Sequence, residues 1–351
     1  MPLQTSTQRV VIIGAGYAGI TAALRLGKRT RRLGASVTLV NGAETFVERI
    51  RLHQAGSGQT VKPRRIERML RGTGVEFVQG YVHDLQPDER RLTVSCPDGS
   101  TLALGYDTLL YTLGSTIDTE GVPGVREQAL ALGSPELAAQ LAGELPSLAE
   151  RGGRLLVCGG GLTGIEAATE IAESFPGLNV ALATRERLGE RLSEKGRAHL
   201  RRVFATLGIA LFEDAAVARL SAGEAELADG ETLPFDLCLW AGSFRVPALA
   251  RQAGLRVNEH GQILVGADLR SLSHPRIVAA GDAAAFAEDP GADPHGLRHG
   301  DADGRLRRRQ HLGEPGRQAR AGVPLPLPVP VHQPGPQERP DPDGERRRLA
   351  A

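Results

Sequence analysis

The fold of this chain is indicated first by residues 9–19, which read RVVIIGAGYAG. The five leading residues form a short run in which all but Arg9 are apolar and β-branched, and the run stops at a glycine, which is typical of a buried parallel strand. Residues 20–29, ITAALRLGKR, follow with helical spacing, and SVTLV at 36–40 predicts the next strand. The stretch therefore predicts a strand–helix–strand unit that opens a doubly wound, mostly parallel α/β sheet.

The same pattern returns in the middle of the chain. RLLVC at 154–158 predicts a strand, GGGLTG at 159–164 a turn, IEAATEIAESF at 165–175 a helix, and NVALAT at 179–184 a second strand. Each copy has the form of one Rossmann-type unit. The sequence therefore predicts an α/β protein with two Rossmann-like, doubly wound dinucleotide-binding domains.

Segments outside the two copies complete the predicted organisation. Alternating residues within 76–113 predict antiparallel strands that lead back to a last strand of the first unit. A helix at 195–207, a hairpin turn at Asp229-Gly230 and a returning strand at 276–282 follow. These elements predict that the second domain is inserted in the first. The first domain comprises residues 1–117 and a returning part at 246–292, the inserted domain comprises residues 118–245, and a disordered tail follows at 293–351.

The glycines of the first copy suit a particular chemistry. Gly14 permits a tight turn, Gly16 lets the backbone approach a pyrophosphate, and Gly19 lets helix and strand pack closely. Phosphates then lie at the helix N-terminus, where free N–H groups and the helix dipole favour anions. Glycines that serve only a tight turn are the alternative, and the second copy at 159–164 argues against it, because the same motif recurs in the same context.

Bulk properties narrow the functional classes. The 351 residues carry a net charge of +1, which gives no reason to expect nucleic acid as a partner. No apolar run reaches the ~18–20 residues that a membrane-spanning helix needs, and the N-terminus lacks a signal-peptide pattern, so a cytoplasmic protein is expected. Cys96, Cys158 and Cys238 form no CxxC motif, so neither a metal site nor a redox-active disulfide is expected.

An ordered set of motifs resembles the FAD-dependent pyridine nucleotide reductases. The set comprises GAGYAG at 14–19, TLLYTLGS at 108–115, GGGLTGIE at 159–166, LCLWAGS at 237–243 and IVAAGDAA at 277–284. Within that family, VTLVNGAETFVERIRLHQ at 37–54 looks most like the branch of type II NADH dehydrogenases and apoptosis-inducing-factor-like proteins. The resemblance covers residues 9–292.

This resemblance implies an enzyme that passes a hydride from NADH or NADPH to FAD and then electrons to an acceptor, with a quinone as the first candidate. Two dinucleotides held face to face suit the reaction, because the nicotinamide and flavin rings must stack in contact. A reductase of a small iron–sulfur protein and a nucleotide-binding protein without turnover stay open as alternatives. Peripheral contact with the inner face of a membrane is known in the branch and is not decided by this sequence.

The resemblance also implies which residues bind each cofactor. The FAD set contains the first glycine loop, the end of the second strand, two residues whose backbone would lie close to the cofactor, and a late Gly-Asp pair. Its members are Gly14, Gly16, Tyr17, Ala18, Gly19, Asn41, Val82, Gly114, Gly281 and Asp282. The NAD(P)H set contains the second loop and the ends of its neighbouring strands: Gly159, Gly161, Leu162, Thr163, Gly164, Thr184, Arg185 and Gly242. Asp282 would contact the ribityl or phosphate region, a role compatible with a helix N-cap.

Glu166 matches a glutamate that the family places near the nicotinamide and the acceptor, which makes it the candidate catalytic residue. A first-turn glutamate favoured by the helix dipole is the alternative.

Two strand ends depart from the usual acidic residue that binds an adenosine ribose. The first unit has Asn41 there, an amide that hydrogen-bonds a hydroxyl without the strength of a carboxylate. The second unit has Thr184 followed by Arg185, a pair that would tolerate the 2′-phosphate of NADPH. NADPH or dual use is therefore favoured, with a surface arginine of no special role as the alternative.

The tail departs from the family's pattern after about Pro290. Residues 294–351 contain no Ile, Phe, Met, Tyr, Trp, Cys, Lys, Ser, Thr or Asn, and such a composition cannot form a packed core. Synonymous codons chosen for 295–305 encode TACATAMPTG when read one base later, and the same frame over 323–345 also gives family-like sequence. We hypothesise that a frameshift near Gly291 has replaced a segment that caps the flavin, and the coding DNA tests this.

Overall fold

The computed structural model describes residues 8–287, and only the backbone of residues 30–33. The predicted disordered tail at 293–351 and the frameshift hypothesis lie outside these described residues and stay predictions.

The described strands are short and are numbered along the chain. They are β1 (Gln8–Ile13), β2 (Ala35–Asn41), β3 (Thr45–Phe46), β4 (Arg64–Arg65), β5 (Glu76–Gln79), β6 (Tyr81–Gln86), β7 (Arg91–Ser95), β8 (Thr101–Gly105), β9 (Thr108–Tyr111), β10 (Thr116–Ile117), β11 (Leu130–Ala131), β12 (Arg154–Cys158), β13 (Asn179–Ala183), β14 (Ala210–Phe212), β15 (Val217–Ser221), β16 (Glu224–Leu227), β17 (Thr232–Pro234), β18 (Leu237–Trp240), β19 (Phe244–Arg245), β20 (Ile263–Val265), β21 (Ile277–Ala279) and β22 (Ala284–Phe286).

The described helices are numbered in the same way. They are α1 (Tyr17–Leu33), α2 (Leu52–Gly56), α3 (Ile66–Leu70), α4 (Val125–Gln128), α5 (Pro135–Glu150), α6 (Leu162–Ser174), α7 (Glu194–Thr206) and α8 (Leu249–Gln252), with 3₁₀ turns at Arg49–Arg51 and Gly281–Ala283. Among the described residues, no helix combines the length and the apolar character needed to cross a bilayer.

The first sheet has five parallel strands in the order β5–β2–β1–β9–β21. Its central strands are apolar on both faces because helices and loops cover both sides, and Ile12 and Ile13 at the end of β1 are fully buried. Since all five strands run the same way, the loops that follow β1, β9 and β21 meet at one edge of the sheet.

A second sheet repeats this arrangement in the order β14–β13–β12–β18–β11, again with parallel pairing. The loop after β12 therefore lies between the loops after β13 and β18. The predicted α/β fold with two Rossmann-like sheets is confirmed, and the predicted helix at 195–207 corresponds to α7.

One predicted element is wrong in part. The stretch at 76–113 is not entirely antiparallel, because β5 pairs in parallel with β2 at the edge of the first sheet. Only β6, β7 and β8 form the antiparallel meander. An alternating apolar pattern reports a half-buried strand, and it does not distinguish a parallel edge strand from an antiparallel one.

The chain passes from the first sheet to the second sheet and back again through two short strands. These strands, β10 and β19, form an antiparallel pair, with Thr116 opposite Arg245 and Ile117 opposite Phe244. Both predicted domain boundaries, at 117/118 and 245/246, fall at this pair, and the boundaries themselves stay a prediction.

Helix α5 anchors the core around the second sheet. Pro135 occupies its first turn, Ser134 caps it by accepting from the Leu137 N–H, and it buries Leu141, Leu145 and Leu148. Gly56 at the end of α2 lies so close to Leu141 that an added Cβ would be 2.9 Å from its Cδ2. The packing of α2 on α5 thus depends on a glycine opposite a fully buried leucine.

Leu141→Ala is expected to lower the free energy of unfolding by about 3 kcal/mol, because truncating a fully buried leucine removes its transfer energy and leaves a cavity. Urea denaturation of the purified chain measures the loss. The control is Leu102→Ala on β8, where the side chain is exposed and the expected change is within about 0.5 kcal/mol. Equal losses in the two variants would contradict the proposed core.

Candidate functional site

The first glycine loop, Gly14 to Gly19, joins β1 to α1 and leaves one face of its backbone open. Gly14 has a φ of +91°, and a Cβ there would collide with the Thr112 carbonyl. A Cβ on Gly19 would collide with the Gly14 carbonyl, since α1 begins directly against the strand. Around Gly16, in contrast, a Cβ would meet no heavy atom within 4 Å. The outer two glycines are therefore required by the protein's own packing, and Gly16 faces free space.

Two side chains fix the shape of this loop. The Thr112 hydroxyl, which is buried, donates to the Ile13 and Gly14 carbonyls at 2.8 and 2.9 Å. The Ala15 N–H donates to Asn41 Oδ1 at 2.9 Å, and Asn41 Nδ2 donates to the Ala43 carbonyl at 2.8 Å. Asn41 thus holds the loop from the end of β2, and its predicted contact with a ribose hydroxyl stays a prediction.

Asp282 lies at the same edge of the sheet, in the 3₁₀ turn after β21. Ser115 Oγ, nearly fully buried, donates to Asp282 Oδ2 at 2.7 Å, and Gln262 Nε2 donates to the Asp282 carbonyl at 2.8 Å. Gly281 has a φ of +74°, and a Cβ on it would be 3.5 Å from the Ala18 Cβ in the first turn of α1. The Gly-Asp pair therefore meets the first glycine loop, and Asp282 is part of a turn rather than a helix N-cap.

Other predicted FAD residues occupy the surroundings of this edge. Gly114, just after β9, has a φ of +67° and open space around its would-be Cβ. Tyr17 is partly exposed, with its ring 5.1 Å from that of Phe46 in an edge-to-face contact. Val82 is half-buried on β6, whose start is tied to the first sheet by a hydrogen bond from the Gly80 N–H to the Asn41 carbonyl.

The second glycine loop, Gly159 to Gly164, has the same geometry. Gly159 has a φ of +125°, and a Cβ on Gly164 would collide with the Gly159 carbonyl. A Cβ on Gly161 would meet nothing within 4 Å. Leu162 is exposed at the start of α6, and Gly242, from the loop after β18, is exposed as well. Thr163 is half-buried beside Leu162.

Each loop thus offers open backbone at one glycine and the N–H groups of a helix's first turn, which have no intrahelical partner. A dinucleotide pyrophosphate fits this arrangement, because the phosphate oxygens can reach backbone donors that a Cβ would screen. FAD at Gly14–Gly19 and NAD(P)H at Gly159–Gly164 are both compatible with the residues present.

Glu166 lies on α6 and is paired across the structure with α2. His53 Nδ1 is 3.6 Å from Glu166 Oε2; the imidazole is 11% exposed and the carboxylate side chain 50%. One helical turn further on, Gln59 Nε2 donates to Glu170 Oε1. Since α6 begins at Leu162, Glu166 is its fifth residue and lies outside the first turn, so the helix-dipole explanation for this glutamate is wrong.

Several contributors were not predicted from the sequence. They are Thr112, Ser115, Gln262 and His53. Their side chains pair with backbone carbonyls or carboxylates of residues distant in the chain, and the motif patterns carry no signal for such pairs. Thr112 and Ser115 do lie within the quoted TLLYTLGS segment, and small hydroxyl residues after a buried strand are a weak sequence signal for this position.

Two cysteines are also closer than the sequence indicates. Cys158 Sγ and Cys238 Sγ are 3.7 Å apart between β12 and β18, and both are buried. The hydrogen bond to Cys238 and burial together raise the pKa of the Cys158 thiol well above its ordinary value. A protonated, enclosed thiol is a poor nucleophile, so this pair differs from the reactive cysteines of a disulfide reductase.

Comparison with known proteins identifies the family. A family profile described as pyridine nucleotide-disulphide oxidoreductase matches residues 8–307. The chain belongs to this family. Its relatives include the demethylphylloquinone reductase NdbB of Synechocystis, 27% identical over 79% of this chain and 72% of that protein. The NADH dehydrogenase-like protein Rv1812c of Mycobacterium tuberculosis is 28% identical over 85% of this chain and 78% of that protein.

Solved structures show the same fold. The NDH2 of Plasmodium falciparum in complex with NADH superimposes with a TM-score of 0.72 at 18% sequence identity, covering 80% of this chain and 65% of that chain. The chain therefore spans just under two thirds of the length of this solved relative. The predicted family and its NADH dehydrogenase-like branch are confirmed, and the protein is an oxidoreductase that uses FAD and NAD(P)H.

Proposed function

We propose that this oxidoreductase passes a hydride from NAD(P)H to FAD and then electrons to a quinone. The observation that carries the proposal is the duplicated loop, because Gly16 and Gly161 both face open space at the start of a helix. One such loop serves one dinucleotide, so two loops suit a donor and a flavin held in the same chain. The name of the demethylphylloquinone reductase of Synechocystis supports a quinone as the acceptor.

The overall reaction consumes NAD(P)H, one proton and one quinone and yields NAD(P)⁺ and one quinol. FAD supplies the two-electron carrier that accepts hydride and releases electrons to the acceptor. The first loop, with Asn41 and Thr112 as its supports, would hold that cofactor, and Ser115 fixes the Asp282 side chain at the same edge of the sheet. The second loop would hold the nicotinamide nucleotide.

Glu166 is proposed to supply or relay the proton that the quinone needs beyond the hydride. Its carboxylate is half-exposed, and the mostly buried imidazole of His53 lies beside it. An imidazole next to a carboxylate can hold the proton and fix the orientation of the acid. A quinone is lipid-soluble, so this acceptor would bring the protein to the inner surface of a membrane as a peripheral protein, which is part of the same proposal.

Glu166→Gln is expected to lower quinone-dependent turnover by about 100-fold, since loss of a general acid typically costs that much or more. Hydride uptake from NAD(P)H should persist, because no proton transfer to the acceptor is needed in that half of the reaction. Stopped-flow absorbance measures the two halves separately. The control is Glu170→Gln, one turn further along α6. Glu170 pairs with Gln59, and the turnover of this variant should match that of the unmodified chain.

A fall in the hydride-transfer rate equal to the fall in turnover would contradict the role of Glu166 in proton supply.

The acceptor is tested in parallel. A short-chain, water-soluble quinone should reoxidise the reduced enzyme with one quinol formed per NAD(P)H consumed. Reoxidation by a small iron–sulfur protein but not by the quinone would contradict the proposed acceptor.

A further inference from the structure

The second module is the strand–helix–strand unit β12–α6–β13, and in such a unit the end of the second strand is where a nucleotide presents its adenosine ribose. A carboxylate at this point binds the ribose diol of NADH and repels the 2′-phosphate of NADPH. Thr184 occupies the position, and its side chain is only 4% exposed. A Cβ on Gly160 would collide with Thr184 Oγ1, so the hydroxyl lies beneath the glycine loop. Thr184 Oγ1 also accepts from the Glu186 N–H at 3.3 Å.

Arg185 is the first exposed side chain after this buried threonine. Its side chain is 81% exposed, and the Glu186 carboxylate is 3.9 Å from its guanidinium. That separation exceeds the 2.7–2.9 Å of a charge-assisted hydrogen bond. The planar guanidinium can therefore turn to a phosphate, for which it offers paired donors.

The neighbouring charges favour an anion at this place. Glu213, after β14, is held by the Leu188 N–H at 2.7 Å and by Arg201 at 2.6 and 2.8 Å. The hydrogen bond from Arg201 and that from the Leu188 N–H hold the pKa of Glu213 below its ordinary value, so it is ionised and its charge is matched. Arg185 and Arg187 are both exposed and flank Glu186 in the chain, so two cations lie beside one carboxylate at this strand end, and Arg187 also helps to lower the pKa of Glu213.

We infer that the second module selects NADPH over NADH and that Arg185 is the residue that binds the 2′-phosphate. The inference rests on the proposed function only in that this module binds a nicotinamide nucleotide. It goes beyond the relative from Mycobacterium tuberculosis, whose name mentions NADH. Thr184 contributes by its small size and by the absence of a carboxylate at the strand end.

Binding of two nucleotide fragments tests the inference without flavin, acceptor or turnover. The probes are adenosine 2′,5′-bisphosphate and adenosine 5′-monophosphate, titrated calorimetrically into the purified full chain. The unmodified protein is expected to bind the bisphosphate at least about 10-fold more tightly, since a charge-assisted contact to phosphate contributes this much or more. The preference should weaken as the salt concentration rises, because the contact is exposed.

Variants assign the preference to a residue. Arg185→Ala should bring the ratio of the two affinities to about one and leave the affinity for the monophosphate unchanged. The matched control, Arg187→Ala, removes an exposed arginine two residues away and should keep most of the preference. Glu186→Gln should not reduce binding of the monophosphate.

Equal affinities for the two fragments in the unmodified chain would overturn the inference, and so would an affinity ratio that Arg185→Ala leaves unchanged. A loss of monophosphate binding in Glu186→Gln would also overturn it, because a carboxylate would then bind the ribose hydroxyl. Failure of both fragments to bind would overturn it as well. Selective binding of the bisphosphate by a chain that fails to oxidise NADPH would instead support the inference and count against the proposed function.

Discussion

A chain carrying Gly16→Val is expected to purify folded but colourless. A Cβ on Gly16 would meet no heavy atom within 4 Å apart from its chain neighbours, so we expect the valine side chain to leave the packing of the loop undisturbed. It does fill the place where a pyrophosphate would approach the backbone and the first turn of α1. Loss of one or two charge-assisted hydrogen bonds, about 3 kcal/mol, weakens FAD binding by about 100-fold.

The visible spectrum and a titration with FAD measure this effect, and circular dichroism confirms the fold. Gly143→Val is the matched control, since Gly143 is exposed on α5 and also has no heavy atom within 4 Å of a would-be Cβ. Gly19→Val would not serve, because a Cβ there collides with the Gly14 carbonyl and the loop itself would change. A Gly16→Val protein with unchanged FAD affinity would contradict the assignment of the first loop.

Gly161→Val is expected to give the complementary result, a yellow protein that NAD(P)H no longer bleaches. Gly161 faces open space in the second loop as Gly16 does in the first, so the variant should fold and keep FAD. The nicotinamide nucleotide should bind about 100-fold more weakly, for the same loss of contacts to its pyrophosphate.

Anaerobic titration with NAD(P)H, followed by dithionite, separates the two sites. Dithionite reduces the flavin without occupying a nucleotide site and should bleach the variant fully. If the Gly161→Val protein loses its flavin instead, or if NAD(P)H reduces the flavin of this variant with unchanged affinity, the assignment of FAD to the first loop and NAD(P)H to the second is wrong. Together with Gly16→Val, this variant distinguishes two separate dinucleotide sites from a single one.

Much of the fold could be predicted because it depends on local pattern. The glycine loops each lie between a β-branched run and a helical segment, and this order determines both Rossmann-like units. The parallel pairing of β5 with β2 could not be predicted. The alternation of apolar residues in β5 looks the same for a parallel edge strand as for the antiparallel meander that follows. Pairing partners distant in the chain decide that difference.

The candidate site could be predicted only where the family resemblance assigns a residue to a cofactor. The glycines and Asp282 are assigned in this way, whereas Thr112 and Ser115 act through contacts across about 100 and 170 residues of chain. Asn41 illustrates the limit, since spacing places it at the end of β2 and predicts a ribose contact, but gives no reason to expect that its Oδ1 accepts from the Ala15 N–H. Spacing locates a residue at a strand end, and tertiary contacts decide what its side chain does there.

The pairing of His53 with Glu166 shows the same limit at the proposed chemical centre. More than 100 residues separate the two in the chain, and only the packing of α2 on α6 brings them to 3.6 Å. The sequence singles out the glutamate through its place after the second glycine loop, but it gives no reason to connect the histidine with it.

The most direct test of the central claim is the visible absorption spectrum of the purified, unmodified chain before and after anaerobic addition of NADPH, with NADH as the comparison. The two-site arrangement predicts a bound flavin that one equivalent of NADPH bleaches and a quinone restores. A protein that takes up no FAD, or a bound flavin that neither nucleotide reduces, would contradict the claim that these two loops join a nicotinamide donor to a flavin.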